Sequence, residues 1–307
     1  MLLERTMPKQ VRGLIAAALT PFDKDGNVDP STISPLVERL QSQGISGLYV
    51  CGSTGEGISL STAERKQVAE AYMSAAKDKQ FVFVQVGHNS LREAQDLARH
   101  AAEHGADAIS ATCPSYFKVS SIDGLVRCMS EIASITPQTP FYYYHIPALT
   151  GNSLDMQEFL SVAQDAIPNL AGIKYTTPRL HVFQQCAAFA PDKFQVFWGV
   201  DEMLLPALAS GATAAIGSTY NVLAPVYTDL IERFEANDLE AARGLQLKAI
   251  RAIDALLKYP FQAALKHVVE LQTGGEINFG GARLPLDCLS PEQCASLEVD
   301  MKALGVC

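Results

Sequence analysis

The sequence predicts an α/β fold, a closed (β/α)8 TIM barrel followed by a helical C-terminal extension. Three observations predict it: short apolar runs recur at regular spacing, helical periodicity fills the intervals between them, and after about Asn221 only the helical pattern continues. An open, doubly wound sheet is the alternative. No G-x-G-x-x-G follows the first strand to support it, so eight strands alternating with helices favour the barrel.

The eight candidate strands are short runs of apolar, β-branched or aromatic residues. In chain order they cover residues 14–19, 47–50, 81–86, 108–111, 141–144, 170–174, 194–199 and 213–217. Helical patterns cover residues 30–44, 61–77 and 89–105. The last two begin at an Asn or Ser with a Glu three residues on, which is typical of a helix start.

The C-terminal region is predicted to be mainly helical. Periodicity continues through residues 225–258, a Gly-rich loop covers 273–287, and a last helix over 290–305 begins with a serine as its N-cap. No linker separates this region from the rest. We therefore expect residues 1–220 to form the barrel core and 221–307 to add barrel-completing and further helices to the same structural unit.

Composition and charge narrow the class of partner. The 307 residues carry 24 Lys and Arg against 33 Asp and Glu, a net charge of −9, which argues against nucleic acid or an anionic membrane as a partner. No apolar run approaches the length of about 18 residues that a span needs, and no apolar segment of signal-peptide length opens the chain, so we expect neither a membrane span nor export. The seven cysteines are scattered, odd in number and without a C-x-x-C pair, which predicts no disulfide framework or zinc site and favours a reducing cytoplasm.

Lys174 ends the sixth candidate strand, and a barrel places its chemistry at the C-terminal ends of its strands. An amine partly withdrawn from water is less readily charged and can attack a carbonyl carbon to form a Schiff base. The alternative is a lysine that simply extends its ammonium group from the strand end into water. Schiff-base chemistry also moves protons, so it needs an acid or base nearby.

The fifth candidate strand offers a tyrosine as the proton shuttle. Alternation along the strand places Tyr142 and Tyr144 on one face and Tyr143 on the other. Tyr144 is the last of them before the turn at Pro147, so its hydroxyl is the best placed to reach the mouth. Core packing is the alternative for each tyrosine. His145 is either a second base or a hydrogen-bonded structural residue.

Polar residues follow three other strands. The turn after the second strand carries Ser53 and Thr54 between glycines, which suits a carboxylate or phosphate, although an ordinary βα turn has the same glycine spacing. Asp201 and Glu202 after the seventh strand either cap a helix or, with Ser218 after the eighth, bind a polyhydroxylated ligand. No repeated carboxylate or histidine spacing defines a metal site.

Five motifs together resemble one protein family over essentially the whole chain. They are GSTGE (52–56), YYYHIPALTG (142–151), GIKYTT (172–177), GVDEMLLPAL (199–208) and AIGSTYN (215–221). In this order and spacing they are similar to the N-acetylneuraminate lyase subgroup of the dihydrodipicolinate synthase family. The subgroup is favoured because the turn at 145–151 lacks the arginine that dihydrodipicolinate synthases typically carry there.

The resemblance implies a class I aldolase that cleaves N-acetylneuraminate reversibly to N-acetylmannosamine and pyruvate, with no metal or organic cofactor. It also implies a homotetramer built from two tight dimers. Two alternatives stay open. One is another pyruvate-dependent aldolase or dehydratase of this family that acts on a 2-keto-3-deoxy sugar acid, and the other is a non-catalytic sugar-acid-binding protein.

The resemblance further implies a role for each matching residue. Lys174 corresponds to the Schiff-base lysine and Tyr144 to the proton shuttle. Ser53 and Thr54 correspond to the carboxylate binders, and Thr54 also passes protons to Tyr144. Tyr116 resembles the tyrosine that enters the neighbouring subunit's site, although the residue before it is not the aromatic that many relatives have. The hydroxylated tail of the sugar acid is expected to contact Thr176, Gly199, Asp201, Glu202 and Ser218.

Overall fold

The structure, a computed structural model, describes residues 10–307. Residues 1–9 lie outside the described residues. They include the start of the expected barrel core and the N-terminal segment from which we expect no export. Eight parallel strands close into a barrel in chain order, as predicted. They are β1 Gly13–Ala17, β2 Ile45–Val50, β3 Phe81–Gln85, β4 Ala108–Ala111, β5 Phe141–His145, β6 Leu170–Tyr175, β7 Gln195–Trp198 and β8 Ala214–Gly217.

Helices connect the strands on the outside of the barrel and continue beyond β8. They are α1 Ile33–Ser42, α2 Thr62–Ala76, α3 Leu91–Glu103, α4 Ile122–Ala133, α5 Pro147–Thr150, α6 Met156–Ala166, α7 Leu180–Ala188, α8 Leu204–Ala209, α9 Tyr220–Glu235, α10 Leu239–Leu256, α11 Phe261–Gln272 and α12 Pro291–Ala303. The domain division expected between residues 220 and 221 stays a prediction, and α9 crosses it. Within residues 10–307, no helix is both long and apolar enough to cross a membrane.

Serine side chains begin the two helices whose starts the sequence marked. The Ser61 hydroxyl accepts a hydrogen bond from the backbone N–H of Glu64, whose side chain in turn bonds the backbone N–H of Ser61, forming a capping box at α2. Ser90 accepts from the N–H of Glu93 at α3. These caps satisfy backbone donors that a helix start would otherwise leave unpaired, so both predicted starts are confirmed.

Two apolar clusters separate the inside of the barrel from its helical cover. Tyr142 and Tyr144 belong to the cluster inside the barrel. Tyr143 belongs to the outer cluster, where its ring centroid lies 5.0 Å from that of Phe159 on α6. The predicted alternation of the three tyrosines is therefore confirmed.

A bulge in β6 determines which residue stands beside Tyr144. Phe141 pairs with Leu170, but Tyr142 pairs with Gly172, so Ala171 is an extra residue and Tyr144 comes to stand opposite Lys174. If the same sequence paired regularly with β5 from Leu170 onward, without the bulge, the position opposite Tyr144 would fall to Ile173, which packs in the outer cluster. Gly172 has a φ of 150°, and a Cβ there would overlap the carbonyl oxygen of Gln195. Only glycine fits this position.

The C-terminal extension holds the loop between β2 and α2 through buried charges. Lys266 Nζ on α11 lies 2.5 Å from Glu56 Oε1 in this loop, and both side chains are almost completely buried. The backbone N–H of Arg283 donates to the other oxygen of Glu56 over 2.8 Å, while its guanidinium bonds both oxygens of Glu64. The extension thereby positions the loop that carries Ser53 and Thr54.

Candidate functional site

Lys174 and Tyr144 lie side by side at the C-terminal ends of β6 and β5. Lys174 is 4% exposed, and its Nζ lies 4.1 Å from the ring centroid of Tyr144. Within residues 10–307 the amine has no hydrogen bond and no ion pair. It does not extend freely into water from the strand end, as the alternative expectation required. Within that range, no polar group therefore engages this amine in a structural contact.

Tyr49 is a third member of this group that sequence reasoning missed. Its ring centroid lies 4.2 Å from Lys174 Nζ and 5.5 Å from the ring of Tyr144 in an edge-on arrangement. Its hydroxyl donates to Ser110 Oγ over 2.9 Å, and burial, then the neighbouring Tyr144, raise the pKa of the Tyr49 phenol well above its usual value. The available signal was the position of Tyr49 between Leu48 and Val50, since alternation turns it to the opposite face.

The loop after β2 brings a pair of hydroxyls to the mouth of the barrel. Thr54 is buried, and its Oγ1 lies 2.6 Å from Ser218 Oγ at the end of β8. Ser53 is half-buried beside it. Cys51 and Glu56 both adopt positive φ, 58° and 56°, so the loop folds back sharply between them. Chain segments far apart in sequence are thus joined by one hydrogen bond between hydroxyls.

The structure gives Thr54 a different partner from the one that the resemblance implies. Its hydroxyl bonds Ser218, and within the described residues neither Thr54 nor any other group makes a hydrogen bond to the Tyr144 hydroxyl. The proposed passage of protons from Thr54 to Tyr144 therefore stays a prediction.

Asp201 is buried at the end of β7 and is directed towards β8. Its Oδ2 accepts from the backbone N–H and the hydroxyl of Thr219, over 2.9 and 2.6 Å. Asp201 caps no helix with its side chain, since the short helix that it begins has Val200 at its N-cap position. Burial raises the pKa of the Asp201 carboxyl, and the bonds from Thr219 and the charge of Lys174 oppose that rise. A Cβ at Gly217 would overlap Asp201 Oδ1, so glycine at the end of β8 makes room for this carboxylate.

Glu202, Thr176 and Gly199 complete the rim on the β6 and β7 side. Glu202 is half-buried, and burial, followed by the charges of Asp201 and Asp254, raises its pKa. The Thr176 hydroxyl is buried and has no hydrogen-bond partner among the residues that the structure describes, and a Cβ at Gly199 would overlap it. A buried hydroxyl with unused bonding capacity is suited to a polar ligand.

His145 does not face the mouth. It follows Tyr144 directly, so alternation directs it outward, where its ring lies 6.1 Å from that of Tyr143 and 5.4 Å from that of Tyr175. Burial, and then the charge of Arg179, lowers the pKa of His145 to about 4. The ring is therefore neutral near pH 7 and lies on the opposite face of β5 from the site.

Tyr116 is the predicted site residue that the structure leaves apart from the others within one chain. It is 79% exposed beside Phe117, which is 82% exposed, and the two ring centroids lie 5.1 Å apart.

Potential metal ligands do not converge at the mouth in the described part of the chain. The group of such side chains that does converge lies on α2 and at the end of α3. The mouth itself combines a buried amine, a phenol, paired hydroxyls and a carboxylate, which suits covalent chemistry on a carbonyl compound with proton transfer.

Comparison with known proteins gives a consistent result over the whole chain. Residues 10–304 match the dihydrodipicolinate synthetase family. An N-acetylneuraminate lyase of Rattus norvegicus is 40% identical over 301 residues, covering 97% of this chain and 93% of the relative. The solved structure of Proteus mirabilis N-acetylneuraminate lyase superposes with a TM-score of 0.94 at 38% identity, covering 97% of this chain and 100% of that one. The N-acetylneuraminate lyase (sialic acid aldolase) of Aliivibrio salmonicida gives 0.94 at 40% identity, with 97% and 98% covered.

Proposed function

This chain belongs to the dihydrodipicolinate synthetase family, and from that premise we propose that it is a class I aldolase, an N-acetylneuraminate lyase. It cleaves N-acetylneuraminate reversibly to N-acetylmannosamine and pyruvate. The observation that carries the proposal is the buried Lys174 amine, which among residues 10–307 has tyrosine rings and no carboxylate against it. The chain is also 40% identical over 301 residues to the N-acetylneuraminate lyase of Rattus norvegicus.

The first step joins Lys174 to the substrate. Its Nζ attacks the C2 ketone carbon of the open-chain sugar acid and forms a carbinolamine, which loses water to give an iminium ion. Tyr144 stands directly beside this nitrogen across the β5–β6 pair, so its hydroxyl is the acid that we assign to protonating the departing oxygen. The iminium then serves as the electron sink for the next step.

The second step breaks the C3–C4 bond. Tyr144 as phenolate takes the C4 hydroxyl proton, the C4 oxygen forms the aldehyde of N-acetylmannosamine, and the bonding electrons move into the iminium to give an enamine. Tyr144 returns the proton to C3, and water hydrolyses the resulting imine to release pyruvate and free Lys174. Electrons and protons balance within the substrate, Lys174, Tyr144 and water.

The polar side chains around the mouth offer contacts to both ends of the substrate. Ser53 and Thr54 offer hydroxyls and loop N–H groups to the carboxylate next to C2. The opposite side offers the free hydroxyl of Thr176 and the carboxylates of Asp201 and Glu202 to the hydroxylated tail, with Gly199 and Ser218 at its edge. For Thr54 to pass a proton to Tyr144, its hydroxyl must first exchange its bond to Ser218.

We also propose a homotetramer of two tight dimers in a reducing cytoplasm. The adjacent exposed rings of Tyr116 and Phe117 support an interface at the loop after β4, since large aromatic side chains are enriched at interfaces. In such a dimer Tyr116 would enter the partner's site. All seven cysteines are free, which supports the compartment.

The direct test is pyruvate release from N-acetylneuraminate, measured with lactate dehydrogenase. Borohydride reduction in the presence of pyruvate provides a second readout, because a trapped Schiff base adds the mass of pyruvic acid less one oxygen atom. We expect both signals from the wild-type protein and from Lys24→Ala, which changes an exposed lysine. Lys174→Ala should give neither.

Comparing N-acetylneuraminate with 2-keto-3-deoxygluconate as substrates distinguishes the proposed function from its two alternatives. Trapping with pyruvate but release only from 2-keto-3-deoxygluconate would replace the proposed substrate by another sugar acid of the same chemistry. Binding of N-acetylneuraminate without trapping or release would favour the non-catalytic alternative. Release by the Lys174→Ala protein at the wild-type rate would end the Schiff-base proposal.

A further inference from the structure

A group of metal-ligating side chains lies on the outer surface of the barrel, away from the mouth. His100 is in the last turn of α3, His104 follows its end, and Glu70 projects from the neighbouring α2. Glu70 and His104 line an open depression together with Phe81, at the start of β3. Because Lys174 lies at the other ends of these parallel strands, this group is at the opposite end of the barrel from the candidate active site.

The three side chains are close enough to share one ion. Glu70 Oε1 lies 2.7 Å from His100 Nε2 and 3.9 Å from His104 Nε2, and the three ligand atoms all lie within 4.8 Å of one another. Zinc binds nitrogen and oxygen ligands at about 2.0–2.2 Å, which places tetrahedral ligands about 3.3 Å apart. Glu70 and His104 are about half exposed, so rotation of these side chains brings the set to that spacing.

Backbone contacts prepare His104 as a ligand. Its Nδ1 lies 2.8 Å from the carbonyl oxygen of His100, and since a carbonyl only accepts, Nδ1 carries the proton. Nε2 is then left with a free lone pair, on the side of Glu70. A ring nitrogen held by a carbonyl is the usual outer support of a metal-bound histidine. The position at the end of α3 adds the negative pole of the helix dipole, which favours a cation.

We propose that Glu70, His100 and His104 form an accessory zinc site that ties α2 to α3. Two imidazole nitrogens and one carboxylate are the donor set that zinc accepts, with the remaining position open to water. Sequence reasoning predicted no metal site, because the third ligand comes from a separate helix 30 residues away from His100. Zinc displaces the proton from His100 Nε2 and replaces the Glu70–His100 hydrogen bond with two metal bonds. The expected role is to stabilise the helical cover, and the site takes no part in the reaction.

The test is zinc binding measured by calorimetry on chelator-treated, tag-free protein. A Cys288→Ser/Cys307→Ser background removes the two exposed thiols, which also bind zinc. We expect one zinc per chain with micromolar affinity and a rise in Tm on adding zinc. Glu70→Gln, His100→Ala and His104→Ala should each weaken binding by at least about tenfold, whereas His181→Ala, which changes an exposed histidine elsewhere, should not.

Cobalt provides an independent readout. Co²⁺ bound by the three side chains should give a visible absorption band that the His104→Ala protein lacks, and circular dichroism confirms that this variant remains folded. No zinc uptake by the wild-type background, or equal affinity in the His104→Ala protein, would show that the group is only a hydrogen-bonded surface cluster and would overturn the proposal.

Discussion

Two regions of the molecule each bury a lysine, and they use it in opposite ways. Lys266 on α11 is 1% exposed, and its ammonium group is held by Glu56 Oε1 at 2.5 Å and by the carbonyl oxygen of Gly281 at 2.7 Å. Lys174 on β6 is 4% exposed and faces the rings of Tyr49 and Tyr144. The two ammonium groups are thus about equally buried, but Lys266 has two polar partners, whereas Lys174 has none in the part of the chain that the structure describes.

The difference is consistent with a structural role for Lys266 and with the reactive role that we propose for Lys174. A buried charge needs a partner to offset the loss of hydration, and Lys266 has two. A nucleophilic amine must instead release a proton to expose its lone pair, which a carboxylate partner opposes, and of these two lysines Lys174 is the one without such a partner in the described part of the chain. Burial alone therefore does not distinguish the two lysines, whereas burial without a polar partner beside a phenol is what the proposed role of Lys174 requires.

Replacing Lys174 should have the largest effect, and only on activity. Lys174→Met keeps the volume of the side chain and removes the amine. We expect turnover to fall by at least about 10⁴-fold, as for loss of a nucleophile, while the free energy of unfolding changes by less than about 1.5 kcal/mol. Steady-state assays and urea unfolding measure the two quantities. A large loss of stability would mean that Lys174 holds the fold as Lys266 does.

Removing the phenol beside Lys174 should separate two steps of the reaction. Tyr144→Phe retains the ring and removes the acid, so turnover should fall by about 10²- to 10⁴-fold, while borohydride still traps an adduct with pyruvate. Tyr142→Phe, which changes the deeper tyrosine on the same face, is the matched control and should stay active. Equal losses in both proteins would point to packing rather than to proton transfer.

Replacing Lys266 should have the reverse effect of replacing Lys174. Lys266→Met leaves the Glu56 carboxylate buried without its cationic partner, so we expect a loss of about 3–5 kcal/mol in the free energy of unfolding. Adding Glu56→Gln removes that charge and should restore part of the loss. Urea unfolding of both proteins provides the measurement. If the single variant were as stable as wild type, the buried pair would not anchor the loop of Thr54.

A third buried base, His145, extends the comparison to the outer face of β5. Its pKa in the fold, about 4, lies below the usual 6.5, so the unfolded chain binds a proton first as pH falls. Stability from this group is therefore complete above about pH 6.5 and decreases as pH falls towards 4. Between pH 7 and 5 we expect wild type to lose about 2 kcal/mol more than His145→Asn. Identical pH profiles in urea unfolding would contradict the burial of a neutral ring.

Local patterns predicted the barrel well because the hydrophobic pattern of each strand or helix lies within a short stretch of sequence. All eight strands lie where apolar runs predicted them, and β4 has the predicted bounds. The alternation of side chains along β5 also placed Tyr144 inside the barrel. The same alternation, applied to the next residue, would have placed His145 outside. The same reasoning applied to β2 would have found Tyr49.

Contacts between distant segments were beyond the reach of sequence patterns. The pair Glu56 and Lys266 is separated by 210 residues, and Thr54 and Ser218 by 164. No periodicity encodes such a partner, since it depends on how loops meet after the barrel closes. The bulge at Gly172 is equally hidden, because an isolated glycine in a strand does not reveal the register of its neighbours.

That bulge makes the chemistry of the protein depend on strand register as well as on residue type. If the same sequence paired with β5 without the bulge, every functional group would remain, but Ile173 would stand opposite Tyr144 and the amine of Lys174 would turn out among the covering helices. Because Tyr142 pairs with Gly172, a strand that lacked Ala171 would keep Lys174 opposite Tyr144 without a bulge. Chimeras that transplant β6 between related barrels must therefore preserve the register of Lys174 against Tyr144, and a one-residue gap at Ala171 in an alignment does not by itself move the lysine.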